Sequence, residues 1–197
     1  MPGILGKKVG MTRVLDTTGN LIPVSVIQCE PNKVVGLRTR EKEGYQAFLA
    51  GFLAKKRPTK TKKFQHLVEF RCEEENFTKK IGEEISVQDF ADVAKVKITG
   101  FSRGRGFAGV IKRHNFSRGP ESHGSHHHRQ PGSSSGVVSG TGRVPKGKRF
   151  PGHLGSSRVT KNLVPVISID AAKNLIVVKG PVPGARNSLI EIRSNHS

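Results

Sequence analysis

Apolar and polar residues alternate near both ends of the chain, a period of two that is typical of β-strands with one buried face. In residues 11–30, Val14 precedes the turn-forming letters TTGN, and Ile22, Val24 and Val26 follow them at alternate positions. This pattern predicts a β-hairpin. Further apolar runs predict five more strands at NKVVGLRT, YQAFLAGF, NLVPVISID, NLIVVKG and SLIEIR. Because such runs occur at both ends, we expect a mostly β fold in which the two ends close one barrel or sandwich.

The predicted strands divide the chain into a β-core and two insertions. Residues 1–53 and 158–197 supply the two halves of the core, and residues 85–118 add a strand, KVKITGFS, and a short helix, FAGVIKRH. The first insertion, residues 54–84, begins with KKRPTKTKK, which fits a solvated loop and an RNA contact about equally well. The second, residues 119–157, is rich in Gly, Ser, Pro, His and basic residues and has no regular period. It buries too little apolar area to offset its ordering entropy, so we expect it to order only against an external surface.

The charge of the chain indicates the nature of that surface. The sequence has 34 Lys and Arg against 15 Asp and Glu, a net charge of +19. Between Val93 and Ile169 the only carboxylate is Glu121, while fourteen basic residues give this span a charge of +13 over 77 residues. Such a chain repels itself unless a polyanion neutralises it, so nucleic acid is the expected partner. A membrane surface is disfavoured, because the sequence shows neither a basic amphipathic helix nor an apolar run of about 18 residues.

Two glycine motifs in this span formally match enzyme signatures. Gly104–Gly109 reads GRGFAG, but a dinucleotide site also needs a parallel βαβ unit and a well-placed acid, whereas the flanking sheet is predicted to be antiparallel. The same glycines let a backbone approach RNA phosphate closely near the helix start, with charge from Arg103 and Arg105, besides forming a tight turn. Gly132–Gly136 reads GSSSG, but both flanks are loop, and a nucleophile elbow needs a strand before it and a helix after it.

The histidine cluster around HHH leaves two interpretations open. His123, His126 and His128 can share one side of an extended segment and so bind a metal ion. Only Glu121 is near as an outer ligand, and the surrounding cations oppose a bound divalent ion. Imidazole also stacks on bases and donates to phosphate, so an RNA contact requires nothing further.

The cysteines and the N-terminus exclude several other classes of protein. Cys29 and Cys72 are far apart in the sequence, so neither a zinc ribbon nor a disulfide framework is indicated, and free thiols fit a reducing compartment. The opening MPGILGKKVGMT lacks a long apolar stretch, so no secretory signal is expected there.

Several stretches of the chain resemble one known family. FADVAKVKITGFSRGRGFAGVIKRH (Phe90–His114) is similar to the signature of the universal large-subunit ribosomal protein three family, bacterial or organellar type, although Lys97 replaces its usual Asp or Asn. The opening GILGKKVGMTRVL and the later GPESHGSHHHRQPGS, RVPKGKRFPGHLGSSRVT and NLIVVKGPVPG resemble further family blocks in the same order, so the likeness covers essentially the whole chain. The positions that fill the signature are Gly100, Ser102, Gly104, Arg105, Gly106, Gly109 and Arg113.

The resemblance implies a fold and a location. It implies a translation-factor-like β-barrel, a small α+β insertion at residues 54–84 and a long irregular basic loop at residues 119–157. It further implies that this loop threads into large-subunit rRNA toward the peptidyl transferase centre, and that the protein joins early in subunit assembly beside neighbouring large-subunit proteins. The implied location is a bacterial cytoplasmic ribosome or an organellar ribosome.

Charge and resemblance together predict a structural rRNA-binding protein that is not an enzyme, needs no cofactor or metal, and has no membrane partner. The alternatives from other classes are a metal-dependent enzyme centred on the histidines and a general nucleic-acid compactor that also binds duplex DNA. The residues expected to contact rRNA are basic or imidazole side chains: Lys7, Lys8, Arg103, Arg105, Lys112, Arg113, Arg118, His123, His126, His127, His128, Arg129, Arg143, Lys146, Lys148, Arg149, His153 and Arg158.

Overall fold

The computed structural model describes residues 3–16, 19–60, 62–72, 79–124 and 144–194. The chain divides into two compact units, a first unit of Met1–Ser102 with Arg158–Ser197 and a second unit of Arg103–Ser157. No helix in the described ranges is long and apolar enough to span a membrane. The strands are β1 (Gly3–Leu15), β2 (Leu21–Gln28), β3 (Asn32–Arg38), β4 (Ala47–Ala54), β5 (Phe64–Arg71), β6 (Glu84–Ile85), β7 (Lys95–Phe101), β8 (Phe107–Ala108), β9 (Gly152–His153), β10 (Arg158–Asp170), β11 (Leu175–Lys179) and β12 (Leu189–Ser194). The helices are α1 (Arg40–Glu43) and α2 (Val110–His114), and a 3₁₀ turn covers Val87–Phe90.

Six strands of the first unit pair edge to edge in a closed barrel, in the order β1, β12, β7, β10, β11, β2. Every pairing in this ring is antiparallel. Alternate side chains of a strand point to opposite faces, so a closed ring buries every second residue. In β12, the buried Ile190 and Ile192 alternate with half-buried neighbours. The prediction of a mostly β fold is confirmed, and β1 and β2 form the hairpin predicted in residues 11–30.

The barrel takes strands from both ends of the chain and one from the middle. β1 and β2 are N-terminal, β10 to β12 are C-terminal, and β7 lies between β12 and β10. β7 is the strand predicted in residues 85–118, whereas the predicted helix of that range, α2, belongs to the second unit. The core half predicted to end at residue 53 differs from the structure, because β3 and β4 pair with β5 and β6 in a separate four-stranded sheet. Strand periodicity does not encode which sheet a strand joins.

The four-stranded sheet packs on the barrel and shares its hydrophobic core. Phe48 of β4 stacks on Phe70 of β5, with the ring centroids 5.2 Å apart. A Cβ on Gly3 of β1 would collide with the Phe70 ring, so glycine permits this close approach. The Arg193 guanidinium of β12 lies 5.0 Å from the Phe70 ring centroid, and burial lowers the pKa of Arg193. The sheet is therefore part of the same folded body as the barrel.

The first predicted insertion, residues 54–84, continues this sheet. β5 follows a loop and pairs with β4, with Ala54 opposite Phe64. In its described parts, residues 55–60, 62–72 and 79–84, no residue is helical, so the helix of an α+β segment is not found there. The run FQHLVEFR alternates apolar and polar residues, which suits a strand with one face on the core.

Candidate nucleic-acid interface

A short antiparallel pairing organises the backbone of the second unit. β8 and β9 place Phe107 opposite His153. Next to this pair, the amide of Arg105 donates to the Leu154 carbonyl over 2.8 Å, and the Leu154 amide donates to the Gly106 carbonyl over 2.9 Å. The end of the predicted basic loop is thus tied back to β8. β9 is regular structure that the sequence did not predict, because two residues are too few to show a period.

Glycines allow this close approach of two backbone segments. Gly155 has a φ of +77°, and a Cβ there would overlap the carbonyl oxygen of Arg103. Gly106 has a φ of +71°, in the left-handed region that glycine adopts without steric cost. The turn role expected for the glycines of GRGFAG is therefore present, and it serves contacts of the protein with itself.

The dinucleotide interpretation of GRGFAG has no support in the geometry. α2 spans five residues, with Gly109 as its N-cap. Its few aligned peptide dipoles give its N-terminus little attraction for an anion, and β8 pairs antiparallel with β9. The dipole of this helix therefore does not support the phosphate contact that was predicted at its start. What remains at the motif is the positive charge of the exposed Arg103 and Arg105.

Arg113 is used inside the protein. Its Nη1 donates to the Phe150 carbonyl oxygen over 2.8 Å, and the Nε2 of His114 lies 3.1 Å from the same oxygen. A Cβ on Gly152 would come within 2.5 Å of that Nη1, so the guanidinium occupies the space above this glycine. Arg113 therefore joins α2 to the segment that leads into β9. His114 was missed from the sequence, where only its place in the last turn of a short helix could have indicated it.

The described part of the second unit has eight Lys and Arg but one carboxylate, Glu121. Glu121 pairs with Arg118, with Nη1 and Oε1 3.1 Å apart and side chains 59% and 75% exposed. Such an exposed pair contributes little to stability and neutralises little of the surrounding charge. The predicted contact residues that are exposed in this unit are Arg103, Arg105, Lys112, Arg118, His123, Lys146, Lys148, Arg149 and His153.

Three predicted contact residues belong to the barrel. Lys8 donates through Nζ to the carbonyl oxygens of Val182, at 2.9 Å, and Gly184, at 3.2 Å, and burial lowers its pKa. Arg158 pairs with Glu191 at 2.8 Å, and that carboxylate is only 12% exposed. Lys7 is half-buried on β1. The head groups of Lys8 and Arg158 thus have partners in the protein itself.

Part of the predicted site lies outside the described residues: His126, His127, His128, Arg129 and Arg143. Within the ranges that are described, no three His, Cys, Asp or Glu side chains are grouped closely enough to hold a metal ion. The central histidines of the cluster, His126, His127 and His128, lie outside those ranges.

A second group of cations lies on the loop between β4 and β5. The amide of Lys55 donates to the Lys63 carbonyl over 2.9 Å, and Thr59 and Lys62 exchange backbone hydrogen bonds at 3.2 Å. No carboxylate occurs between residues 54 and 68. Five cations of this loop are exposed, and we name the four that precede Lys63 the basic tip: Lys56, Arg57, Lys60 and Lys62.

Comparison with known proteins identifies the family of this chain. The family model described as Ribosomal protein L3 matches residues 38–174, more than half of the chain. The large ribosomal subunit protein uL3 of Oceanobacillus iheyensis is 45% identical over 205 residues, which cover 98% of this chain and 96% of that protein. The chain belongs to the ribosomal protein L3 family. Two other bacterial uL3 proteins agree: that of Pelotomaculum thermopropionicum is 45% identical over 97% of this chain and 95% of its own length, and that of Prochlorococcus marinus is 44% identical over 99% and 94%.

Membership of the ribosomal protein L3 family confirms the resemblance seen in the signature and in the ordered blocks. Proteins of this family are structural components of the ribosome rather than enzymes, which confirms the expectation that the chain is not a catalyst. rRNA binding is a general property of the family.

Proposed function

We propose that this chain is a structural constituent of the large ribosomal subunit that binds 23S-type rRNA and supports early subunit assembly. In this proposal, residues 119–157 reach toward the peptidyl transferase centre, and other surfaces abut neighbouring large-subunit proteins. The closed barrel is proposed to be of the translation-factor kind. Because the relatives compared are bacterial large-subunit proteins, the location is the ribosome of a bacterial cytoplasm.

The observation that supports RNA binding most directly is the uncompensated charge of the second unit. Eight cations and one carboxylate occur in its described part, and most of the cations are exposed. Such a surface favours a polyanion, since the described part of this unit has a single carboxylate, Glu121, for its eight cations. Its backbone is held by the pairing of β8 with β9, so several of the Arg and Lys side chains start from defined positions. Contacts of this type position RNA by its phosphates and do not by themselves read a sequence.

Salt dependence gives the proposal a magnitude. If about eight of these groups neutralise phosphates, the affinity for rRNA falls about 10³- to 10⁵-fold between about 50 and 200 mM salt. Binding of the purified protein to a large-subunit rRNA transcript, titrated at several salt concentrations, measures this slope. A slope near zero would contradict binding through phosphates.

A sucrose gradient of cell lysate tests the proposed role in the subunit. We expect the protein to sediment with large subunits after a moderate-salt wash. Replacing Arg143, Lys146, Lys148 and Arg149 together by Gln should move it toward the top of the gradient without changing the thermal midpoint of unfolding. Wild-type protein that does not sediment with large subunits would refute the proposal. The matched control removes four exposed cations of the first unit: Arg40, Lys42, Lys173 and Arg186.

Two further measurements separate this function from its alternatives. A general nucleic-acid compactor binds duplex DNA as well as rRNA, so excess duplex DNA should displace it from the rRNA transcript. A structural ribosomal protein should keep its rRNA under the same competition. A metal-dependent enzyme would contain stoichiometric metal after purification without a His-affinity step, which elemental analysis measures.

A further inference from the structure

Phe107 is a large apolar residue on the exposed face of the short strand β8, where a polar residue is usual. Its side chain is 78% exposed, the highest value among the large apolar side chains that the structure describes as exposed. Its neighbours Ala108 and Val110 are 5% and 2% exposed. β8 therefore turns its small residue inward and its large aromatic residue outward. The second unit therefore does not gain the stabilisation that burying a Phe side chain provides.

The surroundings of Phe107 suit a nucleobase. In the antiparallel pairing of β8 with β9, His153 is directly opposite Phe107, so both side chains are on the same face, and both are exposed. Within the described residues, the Phe107 ring has no aromatic or cation partner. The exposed cations Arg103 and Arg105 precede it in the chain. An open aromatic face beside cations is the arrangement on which unpaired bases stack while their phosphates are neutralised.

We propose that Phe107 stacks on an unpaired nucleobase of the bound RNA and that His153 borders the same base. This inference rests on the proposed function, because it assigns one side chain to base contact within a surface otherwise suited to phosphate. Stacking tolerates any base, so the ligand is a single-stranded or bulged nucleotide without a required sequence. The sequence offered a signal in retrospect: an aromatic residue within the basic, glycine-rich run RGRGF.

An exposed apolar ring also fits contact with another protein, and single exposed apolar residues are common on surfaces. The charge distribution favours RNA. Interface centres between proteins are depleted in charged groups, whereas Phe107 is flanked in the chain by Arg103, Arg105 and Lys112. An RNA transcript without any other protein separates these occupants, because only a base partner engages the ring under those conditions.

Fluorescence tests the contact directly, because the chain contains no Trp. Phe107→Trp places a single indole at the proposed site. Adding a large-subunit rRNA transcript to the intact protein should strongly quench its emission, as expected for an indole stacked on a base. Leu21→Trp is the control, since Leu21 is 60% exposed on β2 of the first unit and is not a predicted contact. If the indole of the Phe107→Trp variant stays unquenched at saturating RNA, the proposal is overturned.

Binding measurements give a second test that distinguishes stacking from charge. Phe107→Leu should weaken rRNA binding about 5- to 150-fold at every salt concentration, because the loss of one stacked base removes no phosphate contact. Phe107→Tyr, which keeps the aromatic face, should bind like the wild type. Because the ring is exposed, neither change should alter the thermal midpoint of unfolding, which is measured alongside.

The outcomes separate this inference from the function on which it rests. Wild-type protein that fails to bind the transcript refutes the proposed function. Wild-type protein that binds with a steep salt dependence, while Phe107→Leu binds equally well, refutes only the stacking contact. A changed salt slope in Phe107→Leu would also overturn it, since the ring would then act by arranging the neighbouring cations.

Discussion

Gly155→Ala adds one methyl group next to the pairing of β8 with β9 and should destabilise that pairing. The φ of Gly155 is +77°, in the left-handed region where an L-residue costs about 1–2 kcal/mol. A Cβ there would also overlap the carbonyl oxygen of Arg103, a backbone atom that cannot rotate out of the way. Gly147 has a φ of +85° and nothing within 4 Å of its Cβ position. Gly147→Ala therefore introduces the same backbone strain without the collision.

The difference between the two variants gives the magnitude. Overpacking against atoms that cannot rearrange costs about 1–3 kcal/mol, so Gly155→Ala should destabilise the β8–β9 pairing by about that much more than Gly147→Ala. At about 1.4 kcal/mol per factor of ten, this excess equals about 5- to 150-fold. Hydrogen exchange of the Arg105 and Leu154 amides in the intact chain measures it, because both donate next to this pairing.

Three results would contradict this reasoning. Equal acceleration of exchange in both variants would mean that the collision is relieved without cost. Acceleration in barrel amides, such as those of Ile27 and Ile98, would mean that the change is not confined to the second unit. Unprotected Arg105 and Leu154 amides in the wild type would mean that the pairing does not persist in the free protein.

Three other predictions concern Arg113, the two cysteines and the basic tip. Arg113→Ala should lower the free energy of local opening of the segment at Phe150 by about 1.5–3 kcal/mol, because it removes the hydrogen bond to the Phe150 carbonyl. Limited proteolysis should then cleave this segment faster, whereas Lys112→Ala, at an exposed position, should leave the cleavage rate unchanged. Burial raises the pKa of both thiols, so little reactive thiolate exists near neutral pH. A thiol reagent should therefore label the buried Cys29 only through unfolding. It should label the half-buried Cys72 in the folded protein, at a rate that increases as pH rises. Equal labelling rates would contradict this. Replacing the basic tip by Gln should lower the salt slope of rRNA binding by about 3 to 4 if its four cations contact phosphates, and an unchanged slope would make it a solvated loop.

Most strands of this fold were predictable because a closed barrel imposes one inward face on each strand. SLIEIR alternates apolar and polar residues for that reason and forms β12, whereas NLIVVKG is a continuous apolar run whose burial alternates in β11. The partner of a strand leaves no such trace. β3 and β4 look like barrel strands in sequence, yet they pair with each other in the separate sheet, where β4 also pairs with β5 and β3 with β6. The position of this sheet is set by long-range contacts such as Phe70 against Gly3.

The positive charge of the candidate interface was predictable, but the contacts of each cation were not. In the sequence, Lys8, Arg113 and Arg158 carry the same charge as Arg103 and Arg105, and nothing distinguishes them. In the structure, Lys8 and Arg113 donate to backbone carbonyls of distant segments, and Arg158 neutralises a carboxylate that is only 12% exposed.

A cation with such a partner differs in its expected mutant behaviour from one that faces solvent. Removing Arg158 leaves Glu191 poorly solvated and unpaired, so the variant should lose barrel stability more than salt-dependent RNA affinity. Removing Arg103, which is exposed and has no ion pair in the described part of the chain, should do the reverse. If both variants instead lowered the salt slope equally and left unfolding unchanged, the internal contacts of Arg158 would give way to phosphate on binding. The net charge of this surface, rather than the internal contacts of its cations, would then determine RNA affinity.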